Sequence, residues 1–113
     1  MSLLAGQACA EAPSLVLGAA AARRGLRYGC AVEPGSLGDD ADFRALVRAQ
    51  AAILTPENAL KWDALRPSGE TYDFQGADWV AGFAQEARLP MHGHCLVWHE
   101  AMPAWLRAAL NPR

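Results

Sequence analysis

A carboxylate, an amide and an amine occur close together in the stretch LTPENALKWD. Glu57, Asn58 and Lys61 follow the apolar pair Ile53-Leu54, with a proline in between. Together they offer hydrogen-bond donors and acceptors in fixed directions, which suits a hydroxyl-rich ligand. Taken singly, each residue has a simpler explanation. Glu57 and Lys61 can form a surface ion pair worth about 0.2–0.5 kcal/mol, and Asn58 can be an ordinary turn residue.

A second stretch, MHGHCLVWHEAMPAW, places imidazoles and an indole at the end of another apolar run. His94 and Trp98 lie at or just past the end of this run, and His99 follows. An indole offers an apolar platform for the face of a sugar. His92 and His94 would face the same side of a strand, and metal-dependent amidohydrolases hold zinc with such a pair. The further acidic and histidine ligands of those sites are not visible, so we predict no metal and no cofactor.

Composition indicates a folded domain with no affinity for polyanions. The 113 residues are 52% hydrophobic and 19% charged, with a formal net charge of −2. No basic run points to nucleic acid, and no apolar run approaches the length of a membrane span. The three cysteines, Cys9, Cys30 and Cys95, lack the spacing of a zinc site or a disulfide framework. Cys30 and Cys95 are expected to be buried thiols on strands.

The first residues, MSLLAGQACA, resemble the second half of a secretory signal. They are apolar and small, and they end in an A-x-A pattern typical of a cleavage site, but the basic segment that opens such signals is missing. Residues 1–13 are therefore expected to be either a remnant of a secretion signal or a disordered terminus. We expect a secreted or periplasmic protein whose folded part spans residues 14–113.

The order of predicted elements is a helix followed by three strand–helix units. Strands are predicted at residues 26–32, 52–55 and 91–98. Helices are predicted at 14–25, after a cap at Asp40 or Asp42, at 75–88 and from Pro103, with a loop at 35–40. Helical spacing also predicts core positions for Leu46 and Trp79.

This alternation predicts an α/β fold with a parallel sheet and right-handed crossovers. Three such units form neither a closed barrel nor a doubly wound sheet, and a (β/α)₈ barrel typically needs about 250 residues. The predicted fold is therefore the first three βα units of a (β/α)₈ TIM barrel, incomplete in this chain and in need of the remaining strands. Chemistry in such folds gathers at the carboxyl ends of the strands, where both polar stretches would lie.

Together the two stretches resemble glycoside hydrolase family 10, the endo-1,4-β-xylanases. The motif after the second strand is matched by Glu57-Asn58-Ala59-Leu60-Lys61-Trp62. The stretch that follows it is similar at Pro67, Tyr72, Phe74, Ala77 and Asp78. The motif at the third strand is matched by Gly93, His94, Leu96, Trp98 and His99, then Pro103 and Trp105.

The resemblance implies an enzyme that cleaves xylan with retention of configuration. It implies that Glu57, Asn58 and Lys61 bind xylose hydroxyls on the non-reducing side of the cleavage point. It also implies that His94 and Trp98 line the sugar next to the scissile bond. His99 would orient its neighbours without touching the sugar, and xylan or a xylo-oligosaccharide would be the partner.

No catalytic residue is predicted in this chain. Retaining glycosidases use two carboxyl groups about 5–5.5 Å apart. In the family that the chain resembles, both carboxyl groups lie on later strands, the fourth and the seventh. The chain is therefore expected to carry only the sugar-binding N-terminal portion. The alternative is a non-catalytic truncated remnant with at most weak carbohydrate binding.

Overall fold

Two parallel strands form the centre of the structure, a computed structural model that describes residues 15–111. Strand β1 (Gly29–Val32) pairs with β2 (Ile53–Pro56) along its whole length. A single parallel bridge joins Met91 to Leu54 on the other side of β2. The predictions for residues 1–13 lie outside the described residues.

Helices connect and flank these strands. They are α1 (Leu17–Ala22), α2 (Pro34–Asp39), α3 (Ala41–Gln50), α4 (Trp62–Leu65), α5 (Gln75–Ala87) and α6 (Ala104–Leu110), with a 3₁₀ turn at His99–Ala101. Helix α3 leads from β1 to β2, and α5 leads from β2 to the segment that bridges it. This alternation of parallel strands and crossover helices is that of the opening units of a (β/α)₈ barrel. Within residues 15–111, no helix is both long and apolar enough to cross a membrane.

The core lies between the two strands and helices α2, α3 and α5. Leu54 on β2 is fully buried and contacts a cluster contributed by all of these elements. Helix α5 buries Val80, Phe83 and Ala84, which recur at the three- and four-residue spacing of one helical face. The same pattern wrongly predicted core positions for Leu46 and Trp79, which are 56% and 41% exposed. Periodicity alone does not say how wide the covered face of a helix is.

Gly29 allows the two strands to approach each other closely. A Cβ atom at this position would overlap the carbonyl oxygen of Ile53. Because backbone atoms cannot move away without breaking the ladder, only glycine fits here. The register in which Gly29 faces Ile53 and Val32 faces Pro56 therefore requires a glycine at position 29.

The loop predicted at residues 35–40 is wrong, because Pro34–Asp39 form helix α2. Pro34 at the first helical position presets the backbone torsion of the turn. Leu37 is fully buried in the core, which holds the helix against the sheet. The Arg44 guanidinium donates hydrogen bonds to the carbonyl oxygens of Leu37 and Gly38 at the end of the helix. The burial of Leu37 and the hydrogen bonds from Arg44 are contacts with other elements, and only the proline is a local signal.

The strand predicted at residues 91–98 is also wrong over most of its length. Leu54 donates to the carbonyl of Pro90 and accepts from the amide of His92, at 2.9 and 2.7 Å, and the ladder ends there. Val97 is 75% exposed. An apolar run forms an extended strand only where a neighbouring strand satisfies its backbone groups. Among the described residues, β2 is the only strand with which this run pairs, and the pairing is confined to Met91 and His92.

The cysteine prediction holds in part. Cys30 lies on β1 and is half-buried, and burial raises the pKa of its thiol. Cys95 is half-buried outside any strand. Both are free thiols.

The boundaries of α1 and α3 follow local signals. Gly25 lies just beyond α1 with a φ of +72°, a left-handed conformation that glycine adopts readily and that is common after the end of a helix. The start of the helix predicted at residue 14 lies outside the described residues, and Val16 occupies the cap position of α1. Asp40 caps α3, because its Oδ1 accepts a hydrogen bond of 2.8 Å from the amide of Phe43.

Replacing the cap of α3 should measurably weaken the fold. Asp40→Ala is expected to lower the free energy of unfolding by about 1 kcal/mol, because the Phe43 amide loses its acceptor. Asp40→Asn retains an oxygen at the same place and should stay within a few tenths of the parent. Urea denaturation followed by circular dichroism measures both. Equal losses in the two variants would assign the effect to the charge of Asp40 and contradict the role of the cap.

Candidate functional site

The carboxyl ends of β1 and β2 meet at one edge of the sheet. The amide of Glu57 donates to the carbonyl of Val32 at 2.9 Å, so that the pairing continues one residue past the strands. Glu33 leaves β1 at this point, and Glu57 and Asn58 leave β2 beside it. The β1 and β2 ends therefore supply polar groups to a common place.

Asn58 lies at the centre of a short hydrogen-bond chain. Its Nδ2 donates to Glu33 Oε1, and its Oδ1 accepts a bond of 2.6 Å from Lys61 Nζ. The Lys61 amide also donates to the Asn58 carbonyl at 2.8 Å, which closes the turn between them. With a partner at each end, the Asn58 amide has one defined orientation.

Lys61 connects this chain to the second stretch. Its Nζ lies 5.0 Å from the centre of the Trp98 ring, within the range of a cation–π contact. Trp98 is 42% exposed, so part of the indole remains open to a ligand. Three of the predicted site residues thus lie together: Asn58, Lys61 and Trp98. Glu33 contacts this group through Asn58.

Glu57 directly follows β2, His94 lies three residues past the bridge at Met91, and both side chains are exposed. The ring of His94 stacks on that of His92, with 6.3 Å between centroids and 15° between planes. Across residues 15–111, no three or more His, Cys, Asp and Glu side chains are grouped so that they could hold a metal ion.

His99 contacts Trp98 at its edge. The two ring centroids are 6.1 Å apart and the planes are nearly perpendicular. His99 Nε2 lies 3.0 Å from Glu100 Oε1, and both side chains are well exposed. The carbonyl oxygen of His99 accepts a bond of 2.9 Å from Arg107 Nη2. The hydrogen bond from Arg107 thus stabilises the His99–Ala101 turn.

Sequence reasoning missed two residues of this region. Arg107 in α6 clamps the turn after Trp98 by donating to the carbonyls of His99, Glu100 and Met102. Nothing in its position along the sequence pointed to this contact. Glu33 did carry a signal, because it directly follows a predicted strand, the same criterion that selected Glu57.

The arrangement can bind a ring that has polar edges and an apolar face. The ammonium of Lys61 and the amide of Asn58 offer directed donors and acceptors beside an indole. Sugars need this combination, because their hydroxyls lie at the rim and their C–H groups on the faces.

Comparison with known proteins supports one family. The model for glycosyl hydrolase family 10 matches residues 16–112. Endo-1,4-beta-xylanase B of Thermotoga neapolitana is 38% identical over 71 residues, which are 63% of this chain and 20% of the relative. Endo-1,4-beta-xylanase 2 of Aureobasidium pullulans is 40% identical over 75 residues, 66% of this chain and 19% of the relative. The matched segment is thus about a fifth of the length of these relatives.

Solved structures agree with these matches. Xylanase 10B from Thermotoga petrophila RKU-1, determined in complex with xylobiose, has a TM-score of 0.75 and 33% identity. The match covers 88% of this chain and 31% of that one. Native xylanase 10B from Thermotoga maritima has a TM-score of 0.74 and 34% identity, over 83% and 30% of the two chains. The family model, the relatives and the shared fold all lead to one assignment: the chain belongs to glycosyl hydrolase family 10.

Proposed function

We propose that this segment forms the sugar-binding part of an endo-1,4-β-xylanase that acts on xylan with retention of configuration. Relatives from bacteria and fungi bear the name endo-1,4-β-xylanase, and one similar structure was solved with xylobiose. The observation that carries the proposal is the contact of Asn58, Lys61 and Trp98 at the carboxyl edge of the sheet. Export from the cytoplasm belongs to the same proposal, because xylan is an extracellular polymer and residues 1–10 resemble part of a secretion signal.

The polar groups after β2 would bind hydroxyls on the non-reducing side of the cleavage point. Lys61 donates through an ammonium that can serve Asn58 and a sugar oxygen at once, because it has three protons. Asn58 and Glu57 supply further polar contacts beside it. A ligand that replaces the water around these groups gains charge-assisted hydrogen bonds, which are stronger than neutral ones.

The residues after the third segment would line the sugar next to the scissile bond. Trp98 offers the open part of its ring to the face of that sugar, and His94 offers a ring nitrogen to one of its hydroxyls. His99 would act through Trp98, since its ring meets the indole edge at a centroid distance of 6.1 Å. Each residue singled out in the sequence thus has a proposed contact with the sugar or with a residue that binds it.

Titration with xylotriose tests the binding role directly. The 113-residue chain is expected to show a saturable change in tryptophan fluorescence, because a sugar placed on Trp98 displaces water from the indole. Trp98→Phe should remove most of this change, while Trp79→Phe should leave it in place, because Trp79 lies on α5 and its ring stacks on Phe83. Maltotriose serves as the control sugar. The proposal is wrong for this chain if xylotriose gives no saturable change, or if maltotriose gives the same one.

A further inference from the structure

We propose that Glu33 is a positioning residue of this site: its carboxylate fixes the Asn58 amide and thereby holds the Lys61 ammonium against Trp98. The consequence for sugar binding rests on the proposed function. The positioning itself concerns only the contacts of this chain.

The contacts form an unbroken series across three segments. Glu33 Oε1 accepts from Asn58 Nδ2, Asn58 Oδ1 accepts from Lys61 Nζ, and Lys61 Nζ lies 5.0 Å from the Trp98 ring centre. An asparagine amide can turn over and exchange its oxygen for its NH₂ group. With the amide reversed, Nδ2 would face the Lys61 ammonium, and two donors would meet. Glu33 can only accept, so it selects the orientation in which the oxygen faces Lys61.

Glu33 stands at the N-cap of helix α2, but its side chain does not cap the helix. It is the residue before helix α2, where Ser, Thr, Asp and Asn are preferred because their short side chains cap the helix. As far as the structure is described, the Glu33 side chain makes no capping hydrogen bond to α2. Its carboxylate extends instead to Asn58, on the neighbouring strand end. A glutamate at this position is therefore explained by the length of its side chain, which lets the carboxylate reach Asn58.

The backbone holds Glu33 at a fixed distance from Asn58. The carbonyl of Val32 accepts from the amide of Glu57, and the carbonyl of Glu33 accepts from the amide of Leu37 at 3.1 Å. Both bonds flank Glu33 and anchor it to β2 on one side and to α2 on the other. The reach of the side chain then decides whether its carboxylate meets the amide.

Three substitutions separate positioning from capping. Glu33→Gln retains an acceptor oxygen at the same reach and should preserve the arrangement. Glu33→Asp keeps the charge and improves the cap, but it withdraws the carboxylate by one methylene group and should release Asn58. Glu33→Ala removes the acceptor altogether. A residue that served only the helix would rank these variants differently, with Asp the best.

Nuclear magnetic resonance of the 113-residue chain reads the arrangement directly. The Hε protons of Lys61 should be shifted upfield by the Trp98 ring in the parent and in Glu33→Gln. They should move toward ordinary values in Glu33→Asp and Glu33→Ala. Glu70→Ala, in the turn after α4, is the matched control and should leave the shift unchanged. Circular dichroism of each variant reports whether it folds.

Titration with xylotriose then measures the consequence. Glu33→Asp and Glu33→Ala are expected to raise the Kd about tenfold, the effect of losing one well-placed hydrogen bond. Glu33→Gln should stay within about threefold of the parent. If xylotriose does not bind the parent but the Lys61 shifts follow the expected order, the proposed function fails and the positioning role stands. A Lys61 shift that survives in folded Glu33→Asp, or is lost in folded Glu33→Gln, overturns the positioning role.

Discussion

The 113-residue chain by itself is expected to release no reducing ends from xylan above the rate in buffer. A retaining glycosidase needs an acid/base and a nucleophile, two carboxyl groups about 5–5.5 Å apart on either side of the glycosidic bond. The resemblance places both groups on later strands of the barrel. At the described carboxyl edge, the acids from the strand ends are Glu33 and Glu57, and the carboxylate of Glu33 is engaged by Asn58. Without the two catalytic carboxyl groups, residues that bind a sugar cannot cleave the glycosidic bond.

The expected deficit is large, since reacting groups that act as a unit contribute about 10⁴- to 10⁶-fold together. The measurement is the release of reducing ends from xylan by the purified chain, with xylanase 10B of Thermotoga petrophila assayed in parallel at the same concentration. Turnover within tenfold of that enzyme would contradict the assignment of the catalytic pair to other strands. It would direct attention to Glu57, whose side chain is exposed at the site.

Local patterns predicted those parts of the fold in which one element specifies itself. Strands β1 and β2 are short apolar runs that end at Val32 and Pro56, and α5 carries its apolar face at helical spacing. The cap at Asp40 was also predictable, because the hydrogen bond spans only three residues. Helix α2 was not, because Leu37 and Arg44 stabilise it through contacts with other elements.

The candidate site divides in the same way. The contact of Asn58 with Lys61 follows from their spacing within one turn. Glu33 follows from the rule that strand ends share an edge, although that rule was applied only to the later strands. The approach of Lys61 to Trp98 could not be predicted, because it depends on the irregular path of residues 92–98. A regular strand over that stretch would have placed the indole by its alternation alone.

Lys61 and His94 should have the largest effects among the binding residues once the barrel is complete. The test enzyme is a Thermotoga petrophila xylanase in which residues 15–111 replace the corresponding segment. In it, Lys61→Met is expected to lower kcat/KM by an amount that corresponds to about 2–4 kcal/mol of lost transition-state stabilisation. Hydrogen bonds to sugar hydroxyls strengthen as the ring distorts toward the transition state. Methionine keeps much of the length of the side chain but removes both the charge and the donors. His94→Ala should fall in the same range.

Kinetics on xylotetraose distinguish this role from a general loss of stability. Arg48→Ala is the matched control, because it removes a cation on α3 that pairs with Glu86 of α5 at 3.3 Å and lies over the Phe83 ring, and these contacts are not part of the site. Exposed ion pairs of this kind contribute about 0–1 kcal/mol to folding, so kcat/KM should not change. Lys61→Arg should recover only part of the loss, because a planar guanidinium cannot direct single donors to Asn58 and a sugar as an ammonium does. Parental kinetics in both Lys61→Met and His94→Ala would refute the binding roles, whereas a loss shared by Arg48→Ala would assign the effect to folding.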